Sequence, residues 1–328
     1  MLEHLAEVEL KSGEAMRIVR VSAPAPEWKE RILPLLGHKG QPWLWQMEVA
    51  LDEGLGECAQ HYYLGALEGG EVVGNIMTTE SMARPVGILG HVFTPPEHRR
   101  KGICSHLMEA LTEDFRARKG RAMFLHTGYD SPPYHIYAAW GFEGYRETGA
   151  MAWLLEEGFW QEQFEPRPVS VRATEWADWA PLEALSWVDG GWYLRSVFLG
   201  IYGFSGFEGH YIRVQDALRD GRLRDFRVLV AEDGAVTGYA LLGRLRSFPG
   251  APLVLDMFVH PDFIEHATEL AQAIEIPPGE STLTFADSAS VGKLEALAAA
   301  GFAQEASLGG MLTDDRGNVL DLLILSRG

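Results

Sequence analysis

The chain has 328 residues, 47% of them hydrophobic and 23% charged, the composition of a folded globular protein and not of a disordered one. Its formal net charge of -18 disfavours a partner bound through phosphate neutralisation, so no nucleic acid is expected. No apolar run approaches the roughly 20 residues of a membrane span, and the acidic start MLEHLAEVELKSGEAM lacks a signal-peptide core, so the expectation is a cytoplasmic protein with no membrane partner. The cysteines, Cys58 and Cys104, form no metal-ligand spacing, and no metal is expected.

In chain order, the pattern predicts a strand over 17–21, helices within 27–52, and strands over 62–68 and 71–79 joined by a tight turn at Gly69 and Gly70. A strand over 86–93, a helix over 102–118, a strand over 122–127, a helix over 132–139 and a strand over 144–154 follow. The helix from 102 is carried by Ile103, Leu107, Met108, Leu111 and Phe115, which recur at helical spacing with Glu109, Glu113 and Arg116 left for solvent. Helices alternating with strands around a partly antiparallel sheet make an α/β fold.

The same order is then written again. Gly74 to Gly238 spans 164 positions, Pro95 to Pro261 166 and Gly141 to Gly301 160, near-constant offsets that argue for a duplicated fold. Arg20 to Arg172 is 152, so the second copy carries about 12 extra residues before its hairpin, in the aromatic stretch 189–210. Residues 1–16 are an N-terminal extension, 17–158 the first domain, 159–168 a linker and 169–328 the second domain. Residues 1–168 hold 16 basic and 24 acidic residues and 169–328 hold 12 and 22, or -8 and -10, so neither half is a basic module. The closing hairpin around DDRGN is assigned to the core.

One stretch runs against the acidity. In HVFTPPEHRRKGICSHLMEAL, Arg99, Arg100 and Lys101 stand immediately ahead of a helix starting at Gly102. The first turn of a helix has unpaired N–H groups that attract anions, Gly102 lets a ligand approach the backbone, and arginine grips a phosphate with two donors. Pro95 and Pro96 withhold donors where the strand leaves the sheet, which helps open a cleft.

Together with SPPYHIYAAWGF, this stretch resembles the GCN5-related N-acetyltransferase (GNAT) family, in which an arginine or glutamine, then a glycine three residues on, then a glycine or alanine two residues further, follow the fourth strand and bind the pyrophosphate of acetyl-CoA. Arg99, Gly102 and Cys104 take those positions, with cysteine replacing the usual final glycine or alanine. The resemblance implies that Val92, Phe93, Thr94, Arg99, Arg100, Lys101, Gly102, Ile103 and Cys104 bind acetyl-CoA as co-substrate, the amides near Val92 and Phe93 polarising the acetyl carbonyl. It also implies that Tyr137, four residues ahead of Gly141-Phe142, is the general acid for the departing thiolate. Tyr134 is its neighbour and competitor. Asp130 stands where the family often has an asparagine, and it has no amide donor.

Glu80, His91 and His126 are candidates for a base or an amine guide, each weighed against an ordinary structural role. Trp43, Trp45 and Trp140 are candidates for an acceptor wall or for core packing. In the second copy, Asp262 and Glu265 replace the basic turn and Leu297 replaces the tyrosine, so that half is expected to be silent. The resemblance thus implies two tandem acyl-CoA N-acyltransferase domains, each a mixed, centrally splayed sheet flanked by helices. The first would transfer acetyl from acetyl-CoA to a primary amine of a small molecule or peptide by direct attack. The alternative is a non-catalytic acyl-CoA sensor or interaction protein, and a homodimer stays open.

Overall fold

The computed structural model of the protein describes residues 1–245, 250 and 252–328. The chain divides into two compact units, residues 1–159 with 175–180, and residues 160–174 with 181–328. No helix among the described residues is long and apolar enough to cross a membrane.

The first unit is built from β1 (Leu2–Glu9), β2 (Ala15–Ser22), α1 (Lys29–Leu36), α2 (Trp43–Glu53), β3 (Cys58–Leu67), β4 (Val72–Ser81) and β5 (Val86–Phe93). It continues through α3 (Ile103–Ala117), β6 (Ala122–His126), α4 (Pro132–Ala139), β7 (Glu143–Gly144) and β8 (Ala150–Leu154). The strand predicted over 144–154 is therefore two short strands, because Gly149 takes φ +76 between a turn and β8. Residues 1–16 also hold more than an extension, since β1 pairs antiparallel with β2 at the sheet edge.

The sheet order is β1-β2-β3-β4-β5-β6-β8-β7, and every neighbouring pair is antiparallel except β5 and β6. Alternation along the strands supplies two cores. Tyr63, Ile76 and Leu89 point to the α3 side, with Ile103, Leu107, Leu111 and Phe115. Tyr62, Leu64 and Met77 point to the opposite side, with Ile32 and Leu36 of α1 and Met47 and Leu51 of α2. The helical stripe read from the sequence is thus the buried face of α3.

The parallel contact is short. β5 pairs with β6 only through Val86–Ile88 and Ala122–Phe124, so the remaining residues of β5 run on to Phe93 without β6 beside them. The two strands splay at their carboxyl ends, where ligands of open α/β sheets bind.

Residues 159–168 include α5 (Phe159–Gln163) and bury Phe159 and Phe164. The second unit then adds β9 (Val169–Ala173), α6 (Trp179–Ser186), which starts before the division, β10 (Leu194–Ser196), β11 (Ile201–Tyr202), α7 (Glu208–Arg219), β12 (Leu223–Ala231) and β13 (Val236–Arg244). After these come β14 (Leu253–Val259), α8 (Ala267–Gln272), β15 (Thr282–Asp287), α9 (Val291–Ala299), β16 (Ala303–Thr313) and β17 (Val319–Arg327).

Its seven-stranded sheet, β9-β12-β13-β14-β15-β17-β16, repeats the order of β2 to β7 in the first, again with one parallel pair, β14 and β15. The Gly-Phe pairs close equivalent helices. Gly141 has φ +90 and Gly301 φ +87, and the next amides bond back to Tyr137 O at 3.2 Å and Leu297 O at 3.0 Å. The aromatic stretch 189–210 forms β10 and β11, and only part of it reaches the unit's own core: Trp192 and Phe207 are buried, Tyr193, Phe198 and Phe204 are half-buried, and Tyr202 is exposed. The closing hairpin joins the sheet, but most of β16 faces solvent, and only β17 reaches the core, through Leu323 and Leu325.

Candidate functional site

The splayed end of β5 is also where the first sheet is irregular. Met77 pairs with Gly90 and Asn75 with Phe93, so His91 and Val92 together oppose the single residue Ile76. This is a β-bulge, and His91 adopts φ +52 within it. The side chain of Asn75, fully buried, donates to the His91 carbonyl at 2.8 Å and pins the bulge.

Beyond the bulge, Thr94 leads to the basic turn. Arg100 at φ +66 and Gly102 at φ +92 curl the backbone ahead of α3. The amide hydrogens of Lys101 to Ser105 have no acceptor among the described residues, whereas His106 already bonds to Gly102 O at 3.1 Å. A side chain at Gly102 would strain the left-handed backbone; the nearest atoms to its place are 3.8 Å away, so the space beside the amides is open. These features fit a diphosphate group.

The three basic side chains are not equivalent. Arg99 Nε donates to Thr94 O at 3.0 Å, tying the turn to the end of β5, and Arg100 is exposed. Lys101 Nζ is 2.8 Å from Glu14, and its carbonyl accepts from the Lys11 amide at 3.1 Å, so the β1–β2 turn neutralises the third charge. The replacement at Cys104 leaves the turn open: its thiol packs against the α3-side core, and burial pushes its pKa up, away from a reactive thiolate. Cys104 and Cys58 are both unpaired thiols.

Tyr137 lies on α4, its ring largely buried and edge-on to Phe142 with 6.0 Å between centroids. Tyr134 is held differently, with its hydroxyl against Gly144, where a Cβ would come within 1.9 Å of it. Ser131 caps α4 through the Tyr134 amide, and Asp130, at φ +54, pairs with His135 at 3.0 Å on the surface.

The three base candidates are scattered. Glu80 is buried on the α3 side and held by Arg118 through two contacts at 2.5 and 3.0 Å. It pairs across to Gly87, within the short stretch where β5 and β6 are still joined. His91 is buried beside the bulge, edge-on to Trp43 with 5.1 Å between centroids, and desolvation pulls its pKa down to about 3. His126 is exposed at the carboxyl end of β6. Of the aromatics, Trp43 and Trp45 project from α2 towards Trp179 and Trp176, at 6.4 and 6.1 Å, while Trp140 packs on the α3-side core.

The second unit departs from this arrangement at each point. β13 and β14 pair without a register shift from Gly238–Val259 to Arg244–Leu253, so there is no bulge. With Gly74 and Gly238 taken as equivalent, Gly90 answers to Asp256, an offset of 166, and Phe93 to Phe258, an offset of 165. The stretch from Gly90 to Pro95 is as long as that from Asp256 to Pro261, so the bulge leaves no length signal in the sequence, and sequence reasoning missed it, together with Asn75.

Where β14 and β15 part, after Leu255 and Thr284, the unit's own β10 segment closes the gap. Ser196 Oγ and the Phe198 amide both donate to Asp256 at 2.7 Å. The Leu194 amide donates to Asp287 at 3.1 Å, and its carbonyl accepts from Lys293 at 2.7 Å. The turn after β14 is capped internally, the Asp262 amide donating to His260 Nδ1 at 3.2 Å. Leu297, in place of the tyrosine, is fully buried.

No curated protein matches the chain. Solved structures similar to it include a ribosomal-protein-alanine N-acetyltransferase from Brucella melitensis, 19% identical over 48% of this chain and 98% of that one, with a TM-score of 0.39. A phosphinothricin acetyltransferase from Sinorhizobium meliloti, in complex with acetyl-CoA, is 16% identical over 49% and 88%, with a TM-score of 0.39. A spermidine N-acetyltransferase from Vibrio cholerae, in complex with CoA and spermine, is 13% identical over 48% and 94%, with a TM-score of 0.38. Residues 27–142, which contain the bulge, the basic turn and Tyr137, match the acetyltransferase (GNAT) family, and the first unit is a GNAT-like α/β domain.

Proposed function

We propose that the protein is an acetyl-CoA-dependent N-acetyltransferase with one working site, in the first unit. The observation that carries this reading is the run of unpaired amides at Lys101–Ser105, continuous with a bulged β5 that has lost its parallel partner. Those amides, with Arg99 and Arg100, hold the diphosphate, and the bulge presents main-chain N–H groups near Val92 and Phe93 to the acetyl carbonyl. The bound thioester supplies the acetyl group.

A neutral primary amine attacks the carbonyl carbon, the C–S bond breaks, the Tyr137 hydroxyl gives its proton to the departing thiolate, and the proton lost from the amine nitrogen passes through water to restore the tyrosine. His91, kept uncharged by burial, adds no positive charge beside the incoming amine. Glu80 receives no part in the chemistry, because Arg118 engages both of its carboxylate oxygens.

The second unit is read as a degenerate copy of the same fold. Its shared strand order supports the common origin; the regular β13–β14 ladder, the self-filled splay and Leu297 support the loss of its site. Thiol release from acetyl-CoA across a panel of primary amines tests the activity. In calorimetry one equivalent of acetyl-CoA is expected to bind per chain, and two would overturn the silent copy. Tyr137→Phe is expected to lower kcat by about 10²-fold or more with acetyl-CoA affinity unchanged. Unaltered turnover across the pH range would remove the tyrosine from the mechanism.

A further inference from the structure

We infer that the acceptor of the first unit is a primary amine that also carries an oxyanion, a carboxylate or a phosphate, received by Lys39 with His38 and His126 at the α2-side mouth of the splay. The inference rests on the transferase reading and names its substrate class. In that reading the donor's groups lie on the other face of the sheet, since Tyr137 and Cys104 both pack on the α3-side core. The thiolate leaves towards that face, and the α2 side is left for the incoming amine.

The strand register gives the lining of that side. Met77 belongs to the α2-side core and pairs with Gly90, and Ile88, two residues earlier, pairs with Phe124 of β6. Across β6, Phe124 pairs with Ala152 and His126 with Ala150. Residues directly opposed in a sheet share a face, so Ile88, Gly90, Phe124, His126, Ala150 and Ala152 all lie on the α2 side. Beyond the last joined pair, Gly90 and Ala150 leave room for a ligand, and His126 stands exposed at the lip. None of the six is acidic.

The connection between α1 and α2 forms the other lip. The His38 ring lies against Phe93, with 4.8 Å between centroids, and seats this connection beside the end of β5. His91 marks how close it comes: burial chiefly lowers the proton affinity of that ring, and the charges of Lys39 and His38 lower it further. The connecting residues GHKGQP contain no carboxylate. Lys39, His38 and His126 are exposed, and none has an ion pair among the described residues, whereas Lys29 on α1 is held by Asp52 at 2.6 Å. In a chain of formal net charge -18, an unmatched lysine and two imidazoles around a mouth lined without carboxylates attract an anion and disfavour a polyamine.

Initial rates over matched amines test it: alanine and phenylalanine against their amides, O-phosphoethanolamine against ethanolamine, and spermidine as the cationic extreme. The oxyanion-bearing member of a pair is expected to show a kcat/KM about tenfold higher or more, and the better headgroup identifies the oxyanion. Lys39→Gln is expected to raise KM for that amine about tenfold, more than it changes kcat or KM for acetyl-CoA, and His126→Gln to raise it severalfold. Lys39→Glu should reverse the preference within a pair. Calorimetry of the same amines against the CoA-saturated chain separates the two readings. Oxyanion-bearing amines that bind there, lose affinity in Lys39→Gln and yet are never acetylated would keep the mouth and overturn the transferase. Transfer to the amides or to spermidine as fast as to the acids, or a preference that Lys39→Glu leaves in place, would overturn the oxyanion and keep the transferase. Neither transfer to nor binding of any oxyanion-bearing amine would overturn the inference.

Discussion

The side-chain amide of Asn75 reaches from β4 to the carbonyl of His91 on β5, 2.8 Å away, and holds open the single extra residue in that ladder. The bond spans the place where His91 turns to φ +52, a conformation that a histidine adopts at a cost.

Asn75→Ala removes the donor and leaves a buried carbonyl unpaired. We expect a stability loss of about 1–3 kcal/mol by urea denaturation. We also expect a fall in kcat larger than any rise in KM for acetyl-CoA, because the bulge and not the diphosphate turn is disturbed. A variant equal to the parent in both would show that the bulge holds itself.

The basic turn yields a ranking. Lys101 already spends its charge on Glu14, whereas Arg100 is exposed and Arg99 keeps its terminal nitrogens beyond the Thr94 contact. Arg99→Ala with Arg100→Ala is expected to raise the Kd for acetyl-CoA at least tenfold, with a shallower salt dependence, and Lys101→Ala alone by less. Equal losses in the two variants would contradict the ranking.

We read Glu80 as a structural charge. Its buried carboxylate is paired with Arg118, which also meets Asp114 at 2.9 Å, and the Tyr63 hydroxyl donates to Asp114 at 2.5 Å. Removing one partner of such a pair costs about 3–5 kcal/mol, so Glu80→Ala should lower the urea midpoint sharply. Below that midpoint its kcat per folded molecule should match the parent, a result that an amine-guiding role would not give.

Acid should destabilise the chain through its buried imidazoles. Desolvation pulls His61 down to about 4 and His91 to about 3, while both titrate near 6.5 when unfolded. Below pH 6.5 the unfolded state binds protons that the folded state refuses, so stability falls as pH falls, by about 1.4 kcal/mol per unit for each group until its folded value is reached. Urea unfolding from pH 7.5 to 5 is expected to be flat above 6.5 and to decline below it. Stability unchanged down to pH 5 would mean that these rings take up protons in place.

The α3 helix was legible because its stripe is local. Ile103, Leu107, Leu111 and Phe115 repeat at helical spacing, and the observed Ile103–Ala117 lies within the expected 102–118. The shared helix ending was legible for a related reason: Gly141 and Gly301, both at φ > 0, close a helix in each unit, a backbone that residues with a Cβ take at a cost.

What the sequence by itself determined is this local grammar: alternating strands, one strong amphipathic helix, a basic glycine turn and its acidic counterpart. Which charges are free to meet a ligand was decided only by the tertiary structure. Lys101 is matched by Glu14 and Glu80 by Arg118, partners 87 and 38 positions away, and the second splay is filled by β10 through Asp256 and Lys293. Periodicity reports the face on which a side chain lies, because that follows from backbone geometry. It is silent on long-range partners, because an ion pair or a bulge depends on how distant strands come into register.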